Sequence, residues 1–296
     1  MVHQHILMQA ISESLSEETG EAIELQWVRD LHGGDINQAA LIRSGRTNWF
    51  LKYHTRAPDD MFTAEAQALA EISAQKCIKA PLPITLGFAG DTAWLVLEYL
   101  ELTTRGPAAL LGEQLAALHG VSSNHFGWKR DNYIGSTVQV NTSSDSWTEF
   151  WVECRMRPQL ALTEAAGFSP VLMSKAEKLL TEMHHFLGEH QPKASLLHGD
   201  LWSGNKAFTG DGQPVIFDPA SYYGDRETDI AMTELFGGFD QDFYSAYRAH
   251  YPLPDGYSLR RDLYNLYHML NHLNLFGRGY LSRCINMIDS LLAQIR

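Results

Sequence analysis

Hydrophobic and polar residues follow two different periods along the chain, and the change falls near Leu100. Before it, apolar residues alternate loosely with polar ones, which is the period of a strand. The predicted strands are Ile23–Leu31, Ala39–Arg43, Trp49–Tyr53, Leu82–Phe88 and Thr92–Tyr99. We predict only one helix in this part, over Asp59–Gln75, because Phe62, Leu69 and Ile72 lie along one helical face.

After Leu100 the pattern becomes mainly helical. The predicted helices are Pro107–His119, Trp147–Ala165, Pro170–Leu187 and most of the chain from Thr228 onward. Val121–Ser146 is predicted to be a long polar loop, and a short β segment is expected around Ser195–Asp218, with a turn at Thr209–Gly212. We therefore predict an α+β fold with two lobes. Residues 1–100 form a β-rich lobe with one key helix, and residues 101–296 form a mainly helical lobe.

Composition excludes some classes of partner. The 296 residues are 45% hydrophobic, which is enough for a core, and 35 acidic against 23 basic side chains give a net charge of −12. Such a surface repels nucleic acid and anionic lipid, so we expect neither as a partner. The three cysteines are isolated in the sequence, and the first ten residues do not resemble a secretory leader. We therefore expect a cytoplasmic protein without a membrane span.

One segment carries the residue types that phosphoryl transfer to a hydroxyl requires. It reads His198-Gly199-Asp200-Leu201-Trp202-Ser203-Gly204-Asn205, and Ile216-Phe217-Asp218 follows it. An Asp, four residues and then an Asn is the spacing of a kinase catalytic loop. We predict Asp200 as the catalytic base that accepts the proton of the acceptor hydroxyl. Asn205 and Asp218 can offer oxygen ligands to Mg²⁺.

A polar loop between two strands is the alternative interpretation of this segment. Asp218 argues against it, because the apolar run Pro214–Phe217 precedes it and a carboxylate on a buried strand needs a partner. The turn at Thr209–Gly212 also predicts a hairpin, which would bring the oxygens of Asn205 and Asp218 to one end. These features favour the catalytic interpretation.

Lys52 and Glu65 each break the apolar pattern of their element. Lys52 shares a strand face with Phe50, and Glu65 lies on the apolar stripe of the predicted helix. The alternative is that both side chains extend to solvent. In kinases, a strand lysine contacts the α- and β-phosphates of ATP and a helix glutamate orients it. Together the two residues favour this pair.

Two weaker signals suggest contacts to ATP. Gly33, Gly34 and Asn37 lie between two predicted strands, where glycines let backbone amides approach phosphates, although a plain hairpin turn is the alternative. Backbone groups of Glu98 and Leu100 fall at the predicted lobe junction and could bond the adenine edge. A simple linker is the alternative there.

These motifs together resemble the fructosamine (ketosamine) kinase family, which is related to the aminoglycoside and choline phosphotransferases. Trp202-Ser203-Gly204 before Asn205 is typical of this family, as are Asp218-Pro219-Ala220 and Tyr223-Gly224. The resemblance implies a protein-kinase-like fold that uses ATP and Mg²⁺ to phosphorylate a sugar hydroxyl of ketosamines. These are glycation adducts of the fructosamine or ribulosamine type, and their phosphorylation leads to deglycation.

The resemblance also assigns roles to individual residues. It implies Asp200 as the base, Asn205 and Asp218 as metal ligands, Lys52 on the phosphates and Glu65 as its partner.

Two further acidic residues bear on the resemblance. Asp229 resembles the acidic residue that braces the catalytic loop in the family, and Asp225 stands where many relatives have His. Some relatives carry a cysteine in the glycine loop that permits redox-controlled dimers, and Asp35-Ile36 occupy that region here.

Several alternatives remain open at the level of sequence. Trp202 either lines the acceptor pocket or packs beneath the loop. The acceptor is either a small-molecule or a protein-bound ketoamine, and the oligomeric state is open. A kinase of the same fold acting on choline, an aminoglycoside or a sugar is one alternative function. A pseudokinase that binds nucleotide without turnover is another, although no catalytic group is missing.

Overall fold

A computed structural model describes residues 2–31, 36–58 and 60–295, without the side chains of Val2 and His3. The helices are α1 Val2–Thr19, α2 Met61–Ala74, α3 Ala108–His119, α4 Trp147–Phe150, α5 Arg157–Ala165, α6 Pro170–Thr181, α7 His184–Leu187, α8 Glu227–Leu235, α9 Gln241–His250, α10 Tyr257–Phe276 and α11 Leu281–Gln294. The strands are β1 Gln26–Leu31, β2 Gln38–Ser44, β3 Thr47–Thr55, β4 Pro83–Ala89, β5 Thr92–Glu98, β6 Leu102–Thr103, β7 Ser122–Ser123, β8 Asn132–Ile134, β9 Thr137–Gln139, β10 Ala194–Leu196, β11 Lys206–Thr209, β12 Pro214–Ile216 and β13 Tyr223–Gly224.

The chain forms two compact units that are not contiguous in sequence. The first contains the residues up to Pro107 together with Lys206–Asp218, and the second contains Ala108–Asn205 together with the residues from Pro219 onward. The assignment of nucleotide binding to residues 1–100 and of catalysis to residues 101–296 stays a prediction.

The first unit is built on an antiparallel sheet with the strand order β1-β2-β3-β5-β4. The predicted strands and the predicted helix are present, with shifted ends. Strand β5 (sequence TAWLVLE) is buried at every position except the last. Because side chains alternate between the two faces of a strand, both faces of β5 must be covered.

Helix α1 covers part of this sheet, although the sequence pattern did not predict it. Leu7, Ile11 and Leu15 are buried against a cluster that includes Trp49 and Trp94. Their spacing of four residues places them along one helical face. The polar residues around them concealed this pattern, so the prediction of a single helix before Leu100 was wrong.

A hairpin far along the chain belongs to the same unit. Strands β11 and β12 pair antiparallel, with Lys206 opposite Ile216, and β11 also pairs with β6. The Thr209 N–H donates to the Gln213 carbonyl at 2.9 Å, which closes the predicted turn. The hairpin predicted from Thr209–Gly212 is thus confirmed.

The second unit is mainly helical, and two of the predicted helices are interrupted. A π-helical segment, Trp151–Met156, connects α4 to α5 within the predicted helix Trp147–Ala165. The predicted helix Pro170–Leu187 is divided into α6 and α7. The N–H groups of Glu182 and Met183 donate to carbonyls three residues back, and this tighter turn ends α6.

The segment predicted to be a polar loop contains strands β7, β8 and β9. Some of its polar residues, among them Asn132 and Gln139, are buried, whereas most of the others are exposed. The Asn132 side-chain amide donates to the Ser221 carbonyl at 2.7 Å, and Gln139 donates to the Ala220 carbonyl at 3.0 Å. Polarity suggested solvent exposure, but these amides instead satisfy backbone groups inside the unit.

Residues 2–31, 36–58 and 60–295 include no helix with the length and apolar content needed to cross a bilayer.

Candidate active site

The segment after β10 is held in an unusual backbone conformation. Gly199 has a φ of +84°, and a Cβ placed there would lie 2.1 Å from the Ala220 carbonyl oxygen. Only glycine tolerates both conditions. Close contact with the backbone after Asp218 therefore fixes the path of the chain immediately before Asp200.

Asp200 and Asn205 lie together in the second unit. The Asn205 side-chain nitrogen donates to the Asp200 backbone carbonyl at 2.9 Å and contacts Asp200 Oδ2 at 3.3 Å. Asn205 is buried, whereas Asp200 is partly exposed. Because the amide nitrogen faces Asp200, the amide oxygen of Asn205 is the atom that can meet a hard cation.

The buried carboxylate of Asp229 accepts hydrogen bonds from the backbone of this loop. Asp229 Oδ2 accepts the His198 N–H at 2.7 Å, and Oδ1 accepts the Gly199 N–H at 2.8 Å. His119 Nε2 lies 3.1 Å from Oδ2, and the other ring nitrogen of His119 contacts the Tyr247 hydroxyl at 2.7 Å. These contacts brace the loop as the resemblance implies.

The environment of Asp229 keeps its carboxylate ionised. Burial alone would raise its pKa, but hydrogen bonding and charge from His119, with further contributions from His198 and Gly199, hold the pKa below its ordinary value. The role of His119 was not predictable from the sequence. It lies at the end of α3, and no local pattern connects it to Asp229.

Trp202 adopts an intermediate position between the two sequence-based alternatives. Its side chain is 36% exposed, and one edge packs against Phe236, with 6.3 Å between ring centres. A Cβ at Gly204 would lie 2.3 Å from Trp202 Cη2. The indole therefore covers Gly204 within the loop and keeps another face open, which explains why glycine is required there.

The first unit holds the second group of predicted residues. Lys52 on β3 has a buried ammonium, with Nζ 2.7 Å from Glu65 Oε1 on α2 and 2.9 Å from Asp218 Oδ1. The structure thus brings Lys52, Glu65 and Asp218 together. Burial alone would lower the pKa of Lys52, but the carboxylates of Asp218 and Glu65 raise it above its ordinary value, so the ammonium stays charged.

Asp218 combines an uncommon backbone conformation with a partly exposed carboxylate. Its φ of +57° is in the left-handed region, which is uncommon for a residue other than glycine. Oδ1 contacts Lys52, yet the side chain remains 38% exposed. The carboxylate can therefore hold a cation with its remaining oxygen while it keeps the lysine in place.

The residues predicted to contact the nucleotide are only partly described. Gly33 and Gly34 lie outside the described residues. Asn37 Oδ1 lies 3.2 Å from His54 Nδ1. The Glu98 N–H donates to the Leu82 carbonyl at 2.9 Å, and Leu100 is half-buried.

Asp225, the departure from the family pattern, is structurally satisfied. Its Oδ2 lies 2.6 Å from both His190 Nε2 and the Tyr264 hydroxyl, and Oδ1 accepts the Glu227 N–H at 3.1 Å. An aspartate fits this buried position because His190 lies beside it and because a carboxylate is favourable at the N-terminus of α8.

The fold and these clusters define a class of protein, the small-molecule phosphotransferases with a protein-kinase-like fold. The crystal structure of the aminoglycoside phosphotransferase APH(4)-Ia superposes with a TM-score of 0.62, over 96% of this chain and 98% of that one. Sequence identity is only 14%, so the likeness concerns the fold. It confirms the predicted α+β, protein-kinase-like fold class.

The chain belongs to the fructosamine kinase family, whose sequence model matches residues 7–294. A Synechocystis protein named "Probable ketoamine kinase" is 43% identical over 96% of both chains. The crystal structure of a candidate fructosamine-3-kinase from Haemophilus somnus 129PT has a TM-score of 0.87 at 30% identity. It covers 95% of this chain and 96% of the other. The family resemblance drawn from the sequence is therefore confirmed.

Proposed function

We propose that this protein is an ATP-dependent kinase that phosphorylates a sugar hydroxyl of ketosamines. The observation that supports this most is the loop of the second unit, in which Asp200 and Asn205 are in contact and Asp229 fixes the backbone before them. Membership of the fructosamine kinase family, together with the relative named as a ketoamine kinase, supports the acceptor class.

In the proposed reaction, Asp200 accepts the proton of the sugar hydroxyl. The hydroxyl oxygen forms a bond to the γ-phosphorus of ATP, and the bond between that phosphorus and the bridging oxygen of ADP breaks. The products are the phosphorylated ketosamine, ADP and the proton carried by Asp200. Asn205 and Asp218 would hold Mg²⁺, which neutralises phosphate charge when bound.

The first unit would bind the nucleotide. Lys52, oriented by Glu65, contacts the α- and β-phosphates as a permanent cation. Gly33, Gly34 and Asn37 are proposed to cover the phosphates. The adenine edge would bond the Glu98 carbonyl and the Leu100 N–H.

Trp202 is proposed to stack on the acceptor with its exposed indole face. A net charge of −12 favours a cationic ketoamine nitrogen over an anionic acceptor. The phosphorylated adduct is labile, so the activity would serve deglycation of amines. A cytoplasmic location and the absence of nucleic-acid partners remain predictions from composition.

Lys52 and Glu65 should act as a unit in this reaction. We expect Lys52→Met and Glu65→Gln each to lower kcat/KM for ATP, and the double variant to be little worse than Lys52→Met. Their coupling should be about 0.5–3 kcal/mol, because the two side chains share one buried contact. Steady-state kinetics at varied ATP measures it.

The same pair of single variants and double variant, made at the exposed pair Arg157–Glu153, is the control. The coupling energy between these two residues should stay within about 0.5 kcal/mol. Strictly additive losses for Lys52 and Glu65 would contradict the proposed unit.

A substrate panel tests the proposed function. ATP consumption should be rapid with ribulosamines or fructosamines and slow with choline, aminoglycosides and free sugars. Preference for one of the latter would overturn the acceptor class and leave the kinase assignment intact. Nucleotide binding without consumption on any acceptor would favour a pseudokinase.

A further inference from the structure

A groove of about 630 Å³ lies in the second unit, between the end of α8, helix α10 and helix α11. Its lining includes Glu234 from α8, Arg261, Asp262 and Asn265 from α10, and Arg283 from α11. None of these residues belongs to the catalytic loop. The groove is large enough for a substituent of amino-acid size.

Three of these charged side chains satisfy one another. Glu234 accepts the Tyr257 hydroxyl at 2.8 Å and lies 3.3 Å from Arg261 Nη1. Arg261 Nε is 3.0 Å from Asp262 Oδ1. These contacts hold the charges in fixed pairs, so they leave little capacity for a ligand.

Asn265 and Arg283, by contrast, can still form hydrogen bonds with a ligand. Asn265 is 5% exposed, and its Oδ1 has no hydrogen-bond partner within the described part of the chain. A buried acceptor without a donor is unfavourable, so a donor from a ligand would be stabilised there. The groove thus has an amide acceptor on its α10 wall.

Arg283 is a cationic hydrogen-bond donor in the same groove. Its Nη2 makes one long contact, 3.4 Å to the Leu235 carbonyl, and no carboxylate of the described residues pairs with it. A guanidinium has five N–H donors, so most of them remain for a ligand. The groove therefore offers one buried acceptor and one cationic donor.

Phe236 connects this groove to the catalytic loop. The ring of Phe236 lies 6.3 Å from the Trp202 ring centre and 5.9 Å from the Arg283 guanidinium carbon. Leu235, its neighbour in sequence, lines the groove. The four methylenes of a lysine stem span roughly 6 Å at bond lengths of about 1.5 Å. That length matches one of these two separations, and the ketosamine carbons at one end of the stem and the carboxyl group at the other extend the ligand toward Trp202 and Arg283.

We infer that this groove binds the amino-acid portion of the ketosamine, an inference that rests on the proposed function. An amino-acid unit carries an N–H donor for Asn265 Oδ1 and a carboxylate or carbonyl oxygen for Arg283. In a ketosamine of a simple alkylamine, the substituent on the amine nitrogen carries neither group. Asn265 and Arg283 thus determine specificity for the amine half of the substrate, while Trp202 contacts the sugar half.

The test compares three ribulosamines, formed with free lysine, with lysine inside a terminally blocked peptide, and with methylamine. Arg283→Met and Asn265→Leu should each raise KM for the lysine compounds about tenfold, the loss expected for one hydrogen bond to a charged or buried group. KM and kcat for the methylamine compound should not change. Arg283 is exposed, so its replacement should not impair folding.

Two further variants sharpen this comparison. Arg283→Lys should recover part of the affinity, and Arg157→Met, which removes an exposed arginine outside the groove, should change nothing. A KM effect on the free lysine compound alone would identify a carboxylate as the ligand of Arg283, whereas an effect on both lysine compounds would identify a carbonyl. Equal changes for all three compounds, or none, would overturn the inference.

Binding of the same compounds without ATP, followed by calorimetry, separates this inference from the proposed function. If the wild type phosphorylates none of them, Arg283-dependent binding of the lysine compounds would still support the groove. Absence of that dependence would overturn it.

Discussion

Asp200→Asn should fold and bind MgATP like the wild type, yet lose about 10²–10⁴-fold in kcat, the usual contribution of a positioned base. The amide has nearly the shape of the carboxylate, and Asn205 donates to the Asp200 backbone carbonyl, which the substitution keeps. What disappears is the ability to accept the hydroxyl proton. Steady-state kinetics on a ribulosamine measures kcat, nucleotide titration measures MgATP binding, and thermal unfolding checks that the variant is folded.

Asp211→Asn is the matched control, because this carboxylate lies at the exposed turn of the β11–β12 hairpin. Its kcat should equal that of the wild type. A near-normal rate for Asp200→Asn would remove Asp200 from the role of base, and loss of MgATP binding would indicate a different role for the side chain.

Asp229→Asn should impair both stability and turnover. Asp229 accepts two backbone N–H groups and contacts His119, all inside the unit. An amide has one acceptor oxygen, so donors lose their partner at roughly 1–3 kcal/mol each. Because the two N–H groups belong to the residues before Asp200, a displaced base should also lower kcat, by roughly 10²-fold for a shift of about 1 Å. Chemical denaturation and kinetics measure these effects.

Asp289→Asn is the control for Asp229→Asn, because it makes the same substitution at an exposed carboxylate. Asp289 pairs with Lys175 on the surface, where such contacts contribute about 0–1 kcal/mol. Loss of stability at Asp229 no greater than at Asp289 would contradict the bracing role.

Asp229 should also make the stability of the protein depend on pH. The folded state holds the pKa of Asp229 below its unfolded value of about 3.9. Its stabilisation is therefore fully present above that pH and is lost as the pH falls through the folded pKa. Denaturation curves of the wild type and of Asp229→Asn should approach each other below about pH 4. A constant difference down to strongly acidic pH would contradict this assignment.

Elements with one clear period were predictable from the sequence. Strands β2, β3 and β5 and helix α2 show their apolar positions directly, and the hairpin of β11 and β12 follows from its glycine turn. Helix α1 was missed because only three buried positions mark it. The polar residues Asn132 and Gln139 misled the prediction, since burial of an amide depends on distant carbonyls that sequence spacing does not show.

The candidate site was predictable where residues violated their local pattern. Lys52 and Glu65 stood out as charges on apolar faces, and they are in contact. His119 and Phe236 gave no such signal, because their partners Asp229 and Trp202 lie far away in sequence. Such contacts depend on how α3 and α8 pack, which a local pattern does not encode.

Mass spectrometry of a ribulosamine incubated with MgATP tests the central claim most directly. The wild type should add one phosphate to the sugar of the ketosamine, and Asp200→Asn should add almost none in the same time. Unmodified ribulosamine and fructosamine after prolonged incubation with active wild-type protein, alongside phosphorylation of choline or an aminoglycoside, would contradict the account.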